Sequence, residues 1–199
     1  MHESPVPDEH LVSLSKDGSL DAFNTLVSSY ERQVYNLCLR LVGDQETAED
    51  VTQEAFIAAF RGIRGFRGGS FRSWLLRIAA NQAKDELRRG RRRPATVVLT
   101  GPDDESEVDF PDHTTGPEEQ SENMELAEGL RIGLSGLSFE QRQVVILIDY
   151  VGLDYAEAAE STGVSVGTVK SRLHRGRDGL RQFVVAHPEL FGTRWRQDE

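Results

Sequence analysis

An acidic segment punctuated by proline, from residue 94 to residue 121, divides the chain into two parts. It contains four prolines and eight acidic residues but no lysine or arginine. A segment of this composition buries too little apolar surface to hold itself folded. We therefore predict a flexible linker at 94–121, with one domain before it and another after it. The chain has 199 residues, which is enough for two small domains.

Before the linker, apolar residues recur every three or four positions, which is the spacing of amphipathic helices, and strand signals are absent. We predict an all-α first domain over 8–93. Its helices are expected at 8–16, then after caps at Ser19 and Asp44, and finally from about Phe71 to Arg93. One stripe of that last helix is expected to face the core: Phe71, Trp74, Leu75, Ile78, Ala79 and Leu87. A glycine-rich loop at 62–69 precedes it.

Helical spacing resumes near Ser121 and indicates a second small helical domain over 122–187. A capping box at Ser138 opens a helix that is expected to run to Gly152, and a second capping arrangement follows at 154–157. A short helix, a turn at Gly163 and a longer helix over 166–185 then form the helix-turn-helix pattern. The buried side of that longer helix is expected to hold Val166, Val169, Leu173, Leu180 and Val184. The role of the tail, 188–199, stays open: Leu190, Phe191 and Trp195 either dock on the second domain or fray.

Positive charge is concentrated in two places, although the formal net charge is −10. Residues 61–93 hold 11 basic and 2 acidic residues, and residues 165–182 hold 5 and 1. The remainder of the chain has 7 basic and 30 acidic residues. An acidic protein with two basic islands is expected to bind polyanions at two surfaces.

The second basic island lies on the second helix of the helix-turn-helix, whose N-terminal part meets base edges in the major groove. Lysine and arginine can bind guanine, and Arg177, further along, is expected to contact phosphate. The exposed positions early in this helix are Thr168, Lys170, Ser171, Arg172, His174 and Arg175.

Several classes of site are not expected. Cys38 is the single cysteine, so an intrachain disulfide is excluded, and no Cys/His cluster has the spacing of zinc ligands. The longest wholly apolar run, 144–148, is far too short to span a membrane. The N-terminus lacks the pattern of a signal peptide. We expect no cofactor, no metal, no membrane insertion and a cytoplasmic location.

Three strings carry a resemblance to a known family: AEDVTQEAF at 48–56, FRGGSFRSWLLRIAANQAKDELRR at 66–89, and the segment 137–181. In order and spacing they resemble a bacterial RNA polymerase sigma factor of the extracytoplasmic-function (ECF) group of the sigma-70 family. The resemblance implies a region 2 domain at 8–93 and a region 4 domain at 122–187. It also implies that the linker follows the active-site cleft and RNA exit path of the polymerase, where its negative charge mimics a transcript.

The resemblance implies partners and residues for each surface. Asp50, Gln53 and Glu54 match the surface that docks on the β′ clamp helices of core RNA polymerase; the β flap is the other polymerase contact. Asn81 matches an asparagine that holds a flipped base of the promoter minus-ten element. The other residues matched to that element are Phe66, Arg67, Ser70, Phe71, Arg77, Lys84 and Arg88. The helix-turn-helix would read the minus-thirty-five element, and an anti-sigma factor is an expected partner.

A factor of this kind is not an enzyme, because the phosphodiester chemistry belongs to the polymerase. Two alternatives stay open at this point. The first is a stand-alone helix-turn-helix regulator whose N-terminal helices dimerise or sense a ligand. The second is a metal-dependent nuclease whose carboxylates lie along one helix: Glu46, Glu49, Asp50 and Glu54.

Overall fold

The computed structural model describes residues 7–92 and 117–191, and the side chains of 7–90 and 126–191 within them. This part of the chain contains helices and no strand, which confirms the all-α prediction. The eight α-helices are α1 (Asp8–Lys16), α2 (Leu20–Val42), α3 (Gln45–Gly62), α4 (Phe71–Arg92), α5 (Pro117–Ser135), α6 (Phe139–Val145), α7 (Tyr155–Thr162) and α8 (Val166–Ala186).

Helices α1 to α4 form the first domain, and local signals set their ends. Ser19 Oγ accepts a hydrogen bond from the Ala22 N–H at 3.3 Å, and Asp44 Oδ2 accepts one from the Thr47 N–H at 2.8 Å. These side chains satisfy helix N–H groups that have no partner within the helix. Gly43 ends α2 with a φ of 84°, a conformation that favours glycine. The largest fully buried side chains of this domain are Leu26, Leu37, Leu41, Ile63, Leu75 and Leu76.

The loop between α3 and α4 is compact. A 3₁₀ turn, Ile63–Gly65, is followed by Gly68 and Gly69, whose φ angles are 97° and 88°. Ser70 Oγ then accepts a hydrogen bond from the Ser73 N–H at 3.1 Å and caps α4. Helix α4 therefore begins at Phe71, as the sequence predicts.

Helix α5 begins at Pro117, four residues before the predicted start at Ser121, so residues 117–121 are helical rather than part of a linker. Proline suits the first position of a helix because the missing N–H has no partner there. The remainder of the predicted linker, 94–116, lies outside the described residues.

The single helix predicted from Ser138 to Gly152 is divided. Helix α6 ends at Val145 and continues as a π-helical turn, Ile146–Tyr150, in which the Val151 N–H donates to Ile146 O at 2.9 Å. The capping box at Ser138 is present. Periodicity could not predict the π turn, because residues 144–148 are all apolar and this continuous run shows no helical phase.

Helices α7 and α8 form the predicted helix-turn-helix. Asp154 Oδ1 accepts hydrogen bonds from the Ala156 and Glu157 N–H groups at 2.7 and 2.8 Å, and Gly163 makes the turn with a φ of 68°. Val169 and Leu173 are buried as predicted, and Leu180 and Val184 are partly buried. Val166 is 39% exposed, so its predicted burial is wrong. As the first residue of α8 it lies at the edge of the domain.

The tail folds back in part. A 3₁₀ turn, Pro188–Phe191, follows α8, and Phe191 is buried with its ring 6.1 Å from the ring of Phe183. Helix α5 accommodates this turn through Gly129, where a Cβ atom would lie 2.7 Å from Leu190 O. The turn therefore docks on the second domain, whereas Trp195 lies outside the described residues.

The two domains pack against each other, which the sequence did not predict. Helix α4 lies against α7, and α2 meets α5, α6 and the π turn. The buried guanidinium of Arg142 donates to Leu41 O at 2.7 Å through Nη1 and to Ser135 O at 2.8 Å through Nη2. One arginine of the second domain therefore holds carbonyls near the C-terminal ends of α2 and α5, where positive charge is favourable.

Candidate polymerase and nucleic-acid interfaces

An open groove lies between α2 and α3 on the first domain. Its lining includes Asp50 and Gln53, both exposed, so two of the three residues predicted to bind polymerase share one concave surface. The groove is acidic and amide-rich at its rim and partly apolar along its length. The remaining lining residues are Val27, Glu31, Arg32, Tyr35, Glu49, Thr52, Phe56 and Ile57.

Glu54, the third predicted polymerase residue, lies beside this groove rather than in its lining. Its carboxylate is 3.6 Å from Arg89 Nη2 of α4, and both side chains are about half exposed. An exposed ion pair at this distance is weak, so Glu54 stays accessible to another cation.

The loop residues predicted to contact the minus-ten element divide into two groups. Phe66 and Phe71 are buried and pack with Trp74, with ring centroids 5.2 to 6.0 Å apart. Lys16 Nζ lies 5.4 Å from the centre of the Phe66 ring. Arg67 is exposed and Ser70 caps α4. The aromatic pair therefore supports the loop from inside, and of these four residues Arg67 is the exposed one.

Helix α4 carries the other predicted minus-ten residues on its polar face. Asn81 is exposed and makes no hydrogen bond within the described part of the chain. Arg77 is exposed beside α7, since a Cβ atom on Gly163 would lie 3.1 Å from its Nη2. Arg88 is exposed and 3.8 Å from Asp85.

Lys84, also predicted for the minus-ten element, is engaged by the second domain. Its Nζ donates to Glu140 Oε1 at 2.7 Å and lies 5.2 Å from the centre of the Phe139 ring. The hydrogen bond from Lys84 is the largest of the effects that hold the pKa of the Glu140 carboxyl below its ordinary value.

Helix α8 presents an exposed polar face at its N-terminal half. Lys170, Ser171, His174 and Arg175 are all exposed, although Arg175 Nε is bonded to Ser171 O at 3.2 Å. Thr168 has a local role, because its Oγ1 is 2.9 Å from Ser165 Oγ at the cap of α8. The structure thus brings together four of the residues predicted to read bases.

The other two predicted residues, Arg172 and Arg177, each lie near an acidic side chain of the second domain. Arg172 is half-buried and close enough to Glu140 to contribute to the lowered pKa of that carboxyl. Arg177 is paired with Asp149 of the π turn, with its Nε 3.0 Å from Oδ2, and this pairing raises the pKa of the guanidinium. The Asp149 carboxylate therefore occupies the guanidinium that was predicted to contact phosphate.

Comparison with known proteins matches both domains to one family. A model described as Sigma-70 region 2 matches residues 26–93, and one described as Sigma-70, region 4 matches residues 133–179. The ECF RNA polymerase sigma-E factor of Escherichia coli (strain K12) is 38% identical over 181 residues, covering 87% of this chain and 92% of the relative. The chain belongs to the ECF group of the sigma-70 family. It is an alternative sigma factor that directs transcription initiation.

Two further relatives agree with this membership. The ECF RNA polymerase sigma factor SigE of Mycolicibacterium smegmatis is 38% identical over 170 residues; the match covers 85% of this chain but 64% of the relative. The solved sigma factor RpoE of Bartonella quintana, in complex with the anti-sigma factor NepR, has a TM-score of 0.61 at 26% identity. That alignment covers 83% of this chain and 98% of the other.

Family membership decides between the alternatives left open by the sequence. The region 2 match accounts for the N-terminal helices, which a stand-alone regulator would use to dimerise or sense a ligand. The same match covers the four carboxylates considered for a nuclease, which lie on α3. Among the described helices of this sigma factor, none is long and apolar enough to cross a membrane.

Sequence reasoning missed two parts of these surfaces. The α2 wall of the groove, with Glu31, Arg32 and Tyr35, was not identified, although its polar residues repeat at helical spacing. Tyr155, at the first position of α7, lies under Lys170 with its ring centre 5.3 Å from Nζ. No local signal relates Tyr155 to Lys170, because the turn between the two helices creates that contact.

Proposed function

We propose that this sigma factor docks on core RNA polymerase through the groove between α2 and α3 and contacts promoter DNA with α4 and α8. The observation that carries the proposal is the groove, in which Asp50 and Gln53 are exposed above apolar positions. A groove with a partly apolar lining and an acidic rim suits a basic amphipathic helix or coiled coil. The β′ clamp helices that the family uses are a partner of this kind.

The minus-ten contact is assigned to the exposed part of the α4 face. The Asn81 amide can donate one hydrogen bond and accept another, which suits the Watson–Crick edge of an extruded base. Arg67, Arg77 and Arg88 are exposed nearby on the same loop and helix, where they supply charge for the backbone of the single strand. The buried Phe66 and Phe71 hold the loop in place.

The minus-thirty-five contact is assigned to α8. Lys170, Ser171, His174 and Arg175 read base edges from the N-terminal half of the helix, whereas Thr168 serves the cap. Arg177 supplies phosphate contact only after it separates from Asp149. Arg172 supports the packing of α8 from its half-buried position.

The remaining assignments follow from the family. This chain has no catalytic step of its own, needs no cofactor, and acts in the cytoplasm, where polymerase and promoters are found. We propose that the second domain also meets the β flap, and that an anti-sigma factor restrains the chain. The solved complex of RpoE with NepR supports the last point.

Run-off transcription tests this function. Purified core polymerase is mixed with the full chain and a genomic promoter library, and transcript starts are sequenced. We expect starts that depend on the chain and share two upstream elements. Core polymerase alone is the baseline, and the chain with Asp50→Lys, Gln53→Ala and Glu54→Lys is the matched inactive control. Starts that are equally frequent without the chain would refute the proposal.

A further inference from the structure

We propose that Tyr155 is a positioning residue for promoter recognition: its ring holds the ammonium group of Lys170 so that this lysine discriminates one base pair of the minus-thirty-five element. The inference rests on the proposed DNA contact of α8, and it adds to that contact a residue of α7. The base pair is expected to contain guanine, because lysine donates to the O6 and N7 acceptors of that base.

Short local structures fix the backbone on both sides of this contact. Tyr155 is the first residue of α7, and the carboxylate of the preceding Asp154 accepts hydrogen bonds from the next two N–H groups. Lys170 lies in the second turn of α8, after the cap at Ser165. Gly163 makes the turn between the two helices. The ring and the ammonium group therefore meet because of the fold of the helix-turn-helix, and not through a mobile loop.

The contact leaves Lys170 charged. Its Nζ lies 5.3 Å from the centre of the Tyr155 ring, which is within the range of a cation–π interaction. Across the part of the chain that the structure describes, Lys170 makes no ion pair, and the ring of a neutral tyrosine carries no net charge. The ammonium group therefore keeps its positive charge and its N–H donors for an acceptor on DNA.

Two other cations of the chain are held in a different way. Arg177 lies seven residues after Lys170, and so on the same flank of α8, but its guanidinium is paired with the Asp149 carboxylate. Lys84 of α4 is stacked on an aromatic ring and is also bonded to Glu140. A carboxylate offsets the charge of its partner and occupies N–H donors, whereas the ring beside Lys170 does neither. Lys170 is thus oriented without being neutralised.

Both side chains of the contact are accessible to DNA. Tyr155 is 41% exposed and Lys170 is exposed, so a base edge can meet the ammonium group without displacing a core side chain. A free lysine has many rotamers, and most of that freedom is lost when the lysine is fixed on a base. The ring restricts the lysine before DNA binds, so less freedom is lost on binding. We therefore expect the ring to act on the discrimination between base pairs, which phosphate contacts do not provide.

Selection from a randomised promoter library identifies the base pair that Lys170 reads. The holoenzyme of core polymerase with the natural chain is compared with the holoenzyme that contains Lys170→Ala. We expect the preference for one G·C pair of the upstream element to fall about tenfold. An unchanged preference at every position would overturn the inference, because Lys170 would then read no base for Tyr155 to support.

A double-mutant cycle at that base pair tests the role of the ring. Open-complex formation on the preferred and the altered promoter is measured in competition for the natural chain, Tyr155→Leu, Lys170→Ala and the double variant. Tyr155→Leu should lower the ratio of the two promoters about twofold to fivefold, the range of an exposed cation–π contact. In the Lys170→Ala background the same substitution should have no further effect. Equal effects in both backgrounds would show a purely structural role and overturn the inference.

Tyr155→Phe is the matched control, because it keeps the ring and removes the hydroxyl group. This variant should retain the discrimination of the natural chain. A loss as large as that of Tyr155→Leu would show that the hydroxyl group acts on DNA, and the role of the ring would be overturned. Circular dichroism and thermal unfolding check that each variant is folded.

The outcomes separate this inference from the proposed function. If the natural holoenzyme shows no preference at any upstream position, the proposed contact of α8 with the minus-thirty-five element is refuted, and the inference is refuted with it. If the natural preference is present but Tyr155 and Lys170 are not coupled in the cycle, the inference alone is refuted and the proposed function stands.

Discussion

Lys84 Nζ lies 2.7 Å from Glu140 Oε1 and joins α4 of the first domain to α6 of the second. The hydrogen bond from Lys84 is the main reason why the pKa of Glu140 lies below its ordinary value, and the backbone at Glu140 and the nearby Arg172 act in the same direction. From this ion pair we expect the packing of the two domains to depend on pH.

The first prediction concerns that dependence. A carboxyl whose pKa is lowered by folding contributes stability above its ordinary pKa of 4.5 and loses it as pH falls through the lowered value. Glu140→Gln should therefore lower the melting temperature at pH 7 and have progressively less effect below about pH 4.5. Thermal unfolding of the natural chain and of Glu140→Gln, measured from pH 7 to below about pH 4.5, checks this prediction. A difference in melting temperature that stays constant with pH would contradict a role for the Glu140 charge.

The second prediction concerns the polymerase groove. Asp50→Lys, Gln53→Ala and Glu54→Lys together should abolish assembly with core polymerase while leaving helicity unchanged, because substitutions at exposed positions change stability by about 0.5 kcal/mol or less. Gel filtration with core polymerase measures assembly. Glu9→Lys, Asn24→Ala and Asp21→Lys form a matched triple on another exposed surface. Normal assembly by the groove variant would remove this surface from the proposal.

The third prediction separates two arginines of α8. Arg175→Ala should cost about 1–3 kcal/mol at one position of the minus-thirty-five element and relax the preference there. Arg177→Ala should leave the preferred sequence unchanged, because its guanidinium is held by Asp149 of the π turn. The two variants are compared by selecting the sequences that each one binds from a randomised duplex library. If only Arg177→Ala changed the preferred sequence, the roles assigned to Arg175 and Arg177 would be reversed.

The fourth prediction concerns Asn81. Because this side chain is exposed and makes no hydrogen bond within the described residues, Asn81→Ala should not change thermal stability. Open-complex formation should fall, since extruding a base costs a few kcal/mol and the variant lacks the bonds that offset this cost. Promoter melting on intact and abasic templates measures the effect. The deficit should shrink on the abasic template; an equal deficit on both would contradict base binding.

The fifth prediction concerns Cys38. Burial raises the pKa of its thiol to about 11. The thiolate is the reactive form, so at pH 8 a thiol reagent should not modify the folded chain and should react fully after denaturation. With a reagent that releases a chromophore when it reacts with a thiol, the absorbance with and without denaturant measures how much Cys38 has been modified. Rapid reaction of the folded chain would show that the α2 core opens readily.

Helix ends were predictable because they depend on residues close in sequence. The caps at Ser19, Asp44 and Ser165 and the capping box at Ser138 are formed by contacts over three residues, so their signals are local. The two domains and the helix-turn-helix follow from the same local patterns together with the resemblance.

The packing between the domains was not predictable, because a polar helix face looks the same whether it meets water or the carbonyls of another domain. Leu76, Ala80 and Ala83 are fully buried although they lie off the predicted apolar stripe, since α4 is covered on two sides. Arg72 and Lys84 are expected from their type to be solvated, and the structure pairs both with the second domain. The residue-level assignments of the DNA and polymerase surfaces stay predictions.

The arginines that bridge the two domains, Arg72 and Arg142, have a consequence for sequence variation. Both acceptors, Val151 O and Leu41 O, are peptide carbonyls, so they are retained whatever amino acid occupies either position. Only the donor side of each contact is encoded in a side chain. Hybrid proteins that join one half of this chain to the other half of a relative should therefore keep the acceptors automatically, and the packing of their two domains should depend on which parent contributes each arginine.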